Sequence, residues 1–175
     1  MTNRKPRTHE NIRQEVQRAL KKCGVTKSPI DVEAVARGLG AVVRYSPFEG
    51  ELAGMLVRSE GPPVIGVNSI HPPNRQRFTI AHECGHLLLH KAEVHVDRQL
   101  HVHRRDEMSS LAVDPDEIEA NRFAAELLIP YEMIMADLKG RQIDIENDNQ
   151  IRDLAEKYGV SAQSMTLRLT NLLRL

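Results

Sequence analysis

Apolar residues recur along the chain at two different periods, and the change from one to the other marks out its elements. Ile12, Val16 and Leu20 repeat every fourth residue and Gly24 follows them, which predicts a helix over residues 10–23. Asp31 is placed to cap a second helix carrying Val32, Val35, Ala36 and Leu39, closed by Gly40. The texture then shifts to short, valine-rich runs at 41–45, 52–57 and 64–67, separated by Gly50-Glu51 and Ser59-Glu60-Gly61-Pro62-Pro63. These read as a small antiparallel meander of three strands.

After His71-Pro72-Pro73 the helical period returns over 74–90. Phe78, Ala81, Gly85 and Leu88 form the core face, and His82, His86 and His90 form a neighbouring stripe. Residues 91–113 have no clear period and read as a loop with room for one short element. Pro115 suits the first position of a helix that carries Ile118, Phe123, Ala124, Leu127 and Leu128 before Pro130 interrupts it. A short helix to Leu138 follows, then an acidic connection over 143–150, then two helices around Gly159-Val160-Ser161. The expected class is α+β: a mainly helical core over residues 1–140 with a three-stranded sheet, and a C-terminal helix-turn-helix-like pair over 141–175 packed on it.

A chain of 175 residues buries enough apolar surface to fold without disulfide staples. Its 24 basic and 24 acidic residues cancel, so no global field recruits nucleic acid or an anionic membrane. The basic start at Arg4, Lys5 and Arg7 reads as a frayed terminus. Two distant cysteines, Cys23 and Cys84, suit a reducing compartment. There is no apolar signal core and no run of 18 apolar residues, so the expectation is a cytoplasmic protein without a membrane partner.

The chemistry lies in His82-Glu83-Cys84-Gly85-His86. Histidines four apart project from one helix face, roughly 6 Å apart along the axis. Both can then reach one tetrahedral ion with bonds of about 2.0–2.1 Å. Glu83 sits about 100° around the helix from His82, beside the ligands without displacing them. A carboxylate there can take a proton from water and pass it to a leaving amine. Two exposed histidines on an amphipathic helix would be the plain alternative, but Phe78-Thr79-Ile80-Ala81 and Leu87-Leu88-Leu89 flank the motif with apolar residues.

A catalytic zinc needs a third protein ligand and an open position. The metzincin continuation requires Gly at 89 and His at 92, where this chain has Leu89 and Ala92. A carboxylate from the helix after Pro115 is the alternative. Glu119 shares a stripe with Phe123 and Leu127 and is preferred; Glu117 is its rival, although an acidic residue in a first helical turn already has a role in offsetting the macrodipole. Asn121 is placed to orient a ligand from behind.

The segment Arg75-Gln76-Arg77-Phe78-Thr79-Ile80-Ala81-His82-Glu83-Cys84-Gly85-His86-Leu87-Leu88-Leu89-His90 resembles the zinc helix of the ImmA/IrrE family of metalloendopeptidases. Glu119-Ala120-Asn121-Arg122-Phe123-Ala124-Ala125-Glu126-Leu127-Leu128-Ile129-Pro130 is similar to that family's second motif. The likeness extends over about residues 10–173. It implies a zincin-like, gluzincin-type fold, one Zn2+ (Mn2+ or another divalent ion being the substitute) on His82, His86 and Glu119, and Glu83 as general base. Family members are cytosolic proteases of phage, mobile-element and stress-response systems, and several cut a helix-turn-helix repressor. The resemblance therefore implies a protein substrate of that kind.

His90, His103 and Tyr131 are candidates for oxyanion or substrate contacts. His95, His101 and His103 are irregularly spaced and read mainly as surface histidines, and Cys84 as a small core residue. Two other functions fit parts of the chain. One is a zinc-bearing regulator without proteolysis, against which Glu83 argues, since a structural site needs no base. The other is a DNA reader led by the tail, whose second helix offers only Arg168 and Arg174 for phosphates.

Overall fold

The computed structural model describes residues 5–50, 52–91, 94–97, 114–140 and 143–173. Helix α1 (His9–Cys23) begins at Thr8, whose side chain accepts from the Asn11 N–H, and stops at Gly24. It buries Ile12, Val16, Ala19 and Leu20, the stripe that its fourfold repeat predicts. Helix α2 (Val32–Gly38) is capped by Asp31, which accepts from the Ala34 N–H.

The sheet departs from the expected meander. It has four strands, β1 (Val42–Ser46), β2 (Gly54–Val57), β3 (Val64–Asn68) and β4 (Val94–Asp97), in the order β1-β3-β2-β4. β1 runs parallel to β3, with Val42 opposite Val64; β2 is antiparallel to both β3 and β4. Asn68 explains why β1 and β2 are not a hairpin. Its buried side chain accepts from the Phe48 N–H at 3.3 Å and donates to Leu52 O at 2.8 Å, pinning the β1–β2 connection across the end of β3. The chain thus crosses β3 before returning along its other side. The fourth strand comes from the stretch expected to be mostly loop.

Helix α3 (Pro73–Leu89) carries the histidine motif and lies between the sheet and helix α4 (Pro115–Leu128). Pro115 and the Asp114 cap start α4, and Pro130 separates it from α5 (Tyr131–Leu138). Helices α6 (Asp148–Tyr158) and α7 (Ala162–Leu173) pack on this core. Arg77 on α3 donates to Gly159 O at 3.0 Å, and Tyr158 donates to Asp137 at 2.7 Å. Arg168 on α7 binds Glu126 and Ile129 O. No helix among the described residues is long and apolar enough to cross a membrane.

Two glycines set the spacing of the layers around α3. A Cβ on Gly85 would lie 3.0 Å from Ala120 Cα and 3.2 Å from Phe123 Cβ, so α3 and α4 meet closely at the middle of the motif. A side chain on Gly54 would collide with Thr79 and with Gly66 O, so β2 lies directly on the turn of α3 that precedes Glu83.

Candidate metal centre

Helix α3 is buried continuously from Thr79 to His86, and His82 and Glu83 are wholly inaccessible. Polar groups held this deep must be matched by partners. The nitrogens of His82 and His86 are satisfied in an ordered way. His82 Nδ1 lies 3.1 Å from Asn121 Oδ1, an acceptor that suits the tautomer protonated on Nδ1 and turns Nε2 toward His86 and Glu117. His86 Nδ1 lies 3.0 Å from His90 Nδ1, and His90 Nε2 lies 3.3 Å from Glu119 Oε2. Proton donation in the direction His86, His90, Glu119 leaves His86 with a bare Nε2. The two Nε2 atoms face each other at 3.0 Å.

Glu117 completes this convergence. Its carboxylate oxygens lie 3.5 Å from His82 Nε2 and 3.3 Å from His86 Nε2. A tetrahedral ion with bonds of about 2.0–2.1 Å separates neighbouring donors by about 3.3 Å, so the three donors have the spacing and the chemistry of a zinc site. Burial opposes charge on Glu117, but its imidazole neighbours His82, His86 and His95 outweigh burial and hold the carboxyl well below the usual carboxylate range. Burial pushes His86 down to about 4 against the pull of Glu117, so its imidazole is neutral and a competent ligand at neutral pH.

Glu119, the carboxylate preferred from the sequence, is not brought to the histidine pair. It is fully buried, as its stripe with Phe123 and Leu127 implies. That stripe, however, faces the start of the chain. Arg7 donates its backbone N–H to Glu119 Oε1 at 2.6 Å and its guanidinium to Oε2, and also reaches Leu89 O at 3.1 Å. Residues two apart on a helix differ by about 200°, so Glu117 and Glu119 cannot both face the His82–His86 pair of α3. Glu117 shares its face with Ala120 and Asn121, the residues in contact with Gly85 and His82. Arg7 is accordingly a buried-carboxylate clamp and not part of a frayed end. A second acidic grouping, His90, Asp116 and Glu119, already holds this guanidinium as its cation.

His95, read from the sequence as a surface residue, also joins the cluster. β4 brings its ring to 3.5 Å from that of His86, centroid to centroid, nearly parallel. His95 Nε2 lies 2.5 Å from Glu117 Oε1 and Nδ1 lies 3.3 Å from Glu83 Oε2. Burial works against its charge, but the hydrogen bonds to Glu117 and Glu83 outweigh it and push the imidazole up to about 10. Irregular spacing hid this residue, because strand pairing and not helical period delivers it. Arg58 was equally invisible: from the end of β2 it donates to His86 O at 2.8 Å and His90 O at 2.9 Å, tying off the carbonyl end of α3.

The remaining candidates separate from the centre. His90 is buried behind His86. Tyr131 lies under Arg13, 3.7 Å from guanidinium carbon to ring centroid, and its backbone N–H donates to Glu126. His101 and His103 lie outside the described residues. Cys84 is fully buried and burial raises its thiol pKa, which suits a core residue.

No curated protein matches the sequence. A Mycobacterium tuberculosis transcriptional regulator has a similar fold, with a TM-score of 0.54 and 15% identity over 89% of this chain and 45% of that one. The present chain thus spans less than half the length of that regulator. Residues 36–170 match the family model of the IrrE N-terminal-like domain, Peptidase_M78, and so the chain belongs to this family of peptidases.

Proposed function

We propose that the protein is a zinc-dependent endopeptidase with His82, His86 and Glu117 as ligands and Glu83 as general base. The observation that carries the reading is the convergence of two imidazole nitrogens and one carboxylate at mutual distances of 3.0–3.5 Å. Glu117 replaces Glu119 as third ligand. When bound, the ion supplies Lewis acidity, which polarises a peptide carbonyl and acidifies water toward neutrality.

The chain's own residues do the rest. Glu83, buried beside the ligands, takes a proton from the attacking water and delivers it to the leaving amine nitrogen. Asn121 fixes the ring of His82, and His90 fixes the ring of His86, itself held through Glu119 and Arg7. Four bonds joining α3, α4 and Arg7 ahead of α1 therefore keep both Nε2 atoms aimed at one point.

The substrate class we favour is a helix-turn-helix transcriptional repressor, cut in the cytoplasm. Support comes from the resemblance of both motifs to repressor-cleaving proteases and from the fold shared with a protein described as a transcriptional regulator. Direct DNA reading by the tail is less favoured, because Arg168 is engaged with Glu126 and Ile129 O. The test is metal analysis of the purified protein together with cleavage of a repressor encoded beside it, by wild type and Glu83→Gln. Cleavage retained in Glu83→Gln would sink the mechanism, and failure to bind zinc would sink the site.

A further inference from the structure

β2 lies against the motif helix at Gly54, beside Thr79 and Glu83, with β3 on one side and β4 on the other. An extended peptide adding to the β2 edge would bring its backbone next to the base and the metal ligands, the usual geometry of strand addition. That edge is already taken. β4 pairs antiparallel along the whole of β2, with His95 opposite Leu56. It is four residues long, begins at the exposed Val94, and among the described elements makes its main packing contact with β2.

The side chain that β4 delivers also fills the centre. One donor atom from each of His82, His86, His95 and Glu117 fits within 4.8 Å of all the others. Four protein donors make a closed zinc site, the ion displacing to solvent one of the protons that His95 holds in the metal-free protein, whereas a hydrolytic site keeps one position open. The same ring reaches Glu83 at 3.3 Å, so the base is engaged along with the fourth position.

We propose that β4 is a self-supplied strand in the peptide-binding edge of β2, with His95 as fourth ligand of a closed, latent centre that an extended substrate must displace. The inference rests on the zinc reading above. It gives β4 two coupled jobs, since a peptide that pairs with β2 removes β4 and with it His95, opening the coordination position and breaking the His95–Glu83 contact in one event. The occupant it predicts for the edge is an unfolded or extended polypeptide segment, because only a strand can replace a strand.

The full chain loaded with zinc tests this by X-ray absorption, which counts imidazoles on the ion, in wild type, His95→Ala and His95→Gln. Three imidazoles in wild type and two in both variants are expected. Two in all three overturns the proposal while leaving the zinc reading intact. Cleavage of an unfolded casein supplies the second readout. A closed form populated about nine times in ten reduces apparent substrate affinity about tenfold, so both variants are expected to lower KM by about that factor. A loss of kcat in the variants, with KM unchanged, would make His95 an oxyanion donor and overturn latency. If zinc binding is absent, or survives His82→Ala, the zinc reading itself fails and the proposal falls with it.

Discussion

Gly85 and Ala120 are in direct backbone contact: a Cβ on Gly85 would stand 3.0 Å from Ala120 Cα and 3.3 Å from its carbonyl oxygen. This approach is what brings a carboxylate on α4 within ligand distance of two histidines on α3. Gly85→Ala gains helix propensity of about 1 kcal/mol but overpacks a helix interface at a cost of about 1–3 kcal/mol. The expected result is a small net loss of stability with a much larger loss of zinc affinity, at least about tenfold, because a displacement of a few tenths of an ångström misaligns Glu117. Chelator competition and thermal unfolding of the metal-free protein measure the two separately. Unchanged zinc affinity would show that the close approach does not set the site.

Asn121 and His90 sit behind the two histidines proposed as ligands, at 3.1 Å from His82 Nδ1 and 3.0 Å from His86 Nδ1. Groups in this position typically contribute about 10–100-fold in metal affinity. Asn121→Ala and His90→Ala are each expected to weaken zinc binding within that range, and Asn121→Asp, which keeps an acceptor, is expected to restore most of it. Equal affinities for Asn121→Ala and Asn121→Asp would contradict an orienting role.

Much of this centre was legible in the sequence because helical periodicity is local. The spacing of His82 and His86, the position of Glu83 and the helix beginning at Pro115 follow from one turn of helix and its caps. Which face of that second helix meets the first does not. Both Glu117 and Glu119 are at least partly buried, and only the contact of Ala120 with Gly85 decides which carboxylate meets the histidines. The sheet failed for a similar reason. Three short apolar runs suggest neighbours in order, whereas the Asn68 side chain ties down the β1–β2 connection and puts β3 between them. His95 and Arg7 act across long sequence separations, through strand pairing and a buried ion pair that leave no periodic trace.

Glu117 and Glu119 are separable by substitution. Glu117→Gln is expected to abolish stoichiometric zinc binding and cleavage, because an amide is a poor replacement for a carboxylate donor. Glu119→Gln is expected to keep one zinc per chain at lower affinity. It should cost about 1–3 kcal/mol of stability through the weakened hydrogen bonds to Arg7, whose side chain is 34% exposed and so partly resolvated. Metal stoichiometry and urea unfolding check both. Full zinc loading in Glu117→Gln and none in Glu119→Gln would reverse the assignment.

The metal-free protein should be most stable near the ordinary histidine pKa of about 6.5 and lose stability on both sides. On the acid side His86 is held down to about 4 by burial, so the unfolded chain takes up its proton first. Stability from this group is present above about 6.5 and lost as the pH falls toward 4. His90, also lowered by burial, adds in the same direction, and Glu117 adds below the ordinary carboxylate range. On the alkaline side the sign reverses. His95 is raised to about 10 by Glu117 and Glu83 despite burial, so its contribution is complete below about 6.5 and lost as the pH climbs toward 10. Urea midpoints at pH 5, 6.5 and 9 are expected to peak at the middle value in wild type. His86→Gln should flatten the acid limb and His95→Gln the alkaline one. A wild-type midpoint that does not move between pH 6.5 and 9 would mean that His95 is not held by the two carboxylates.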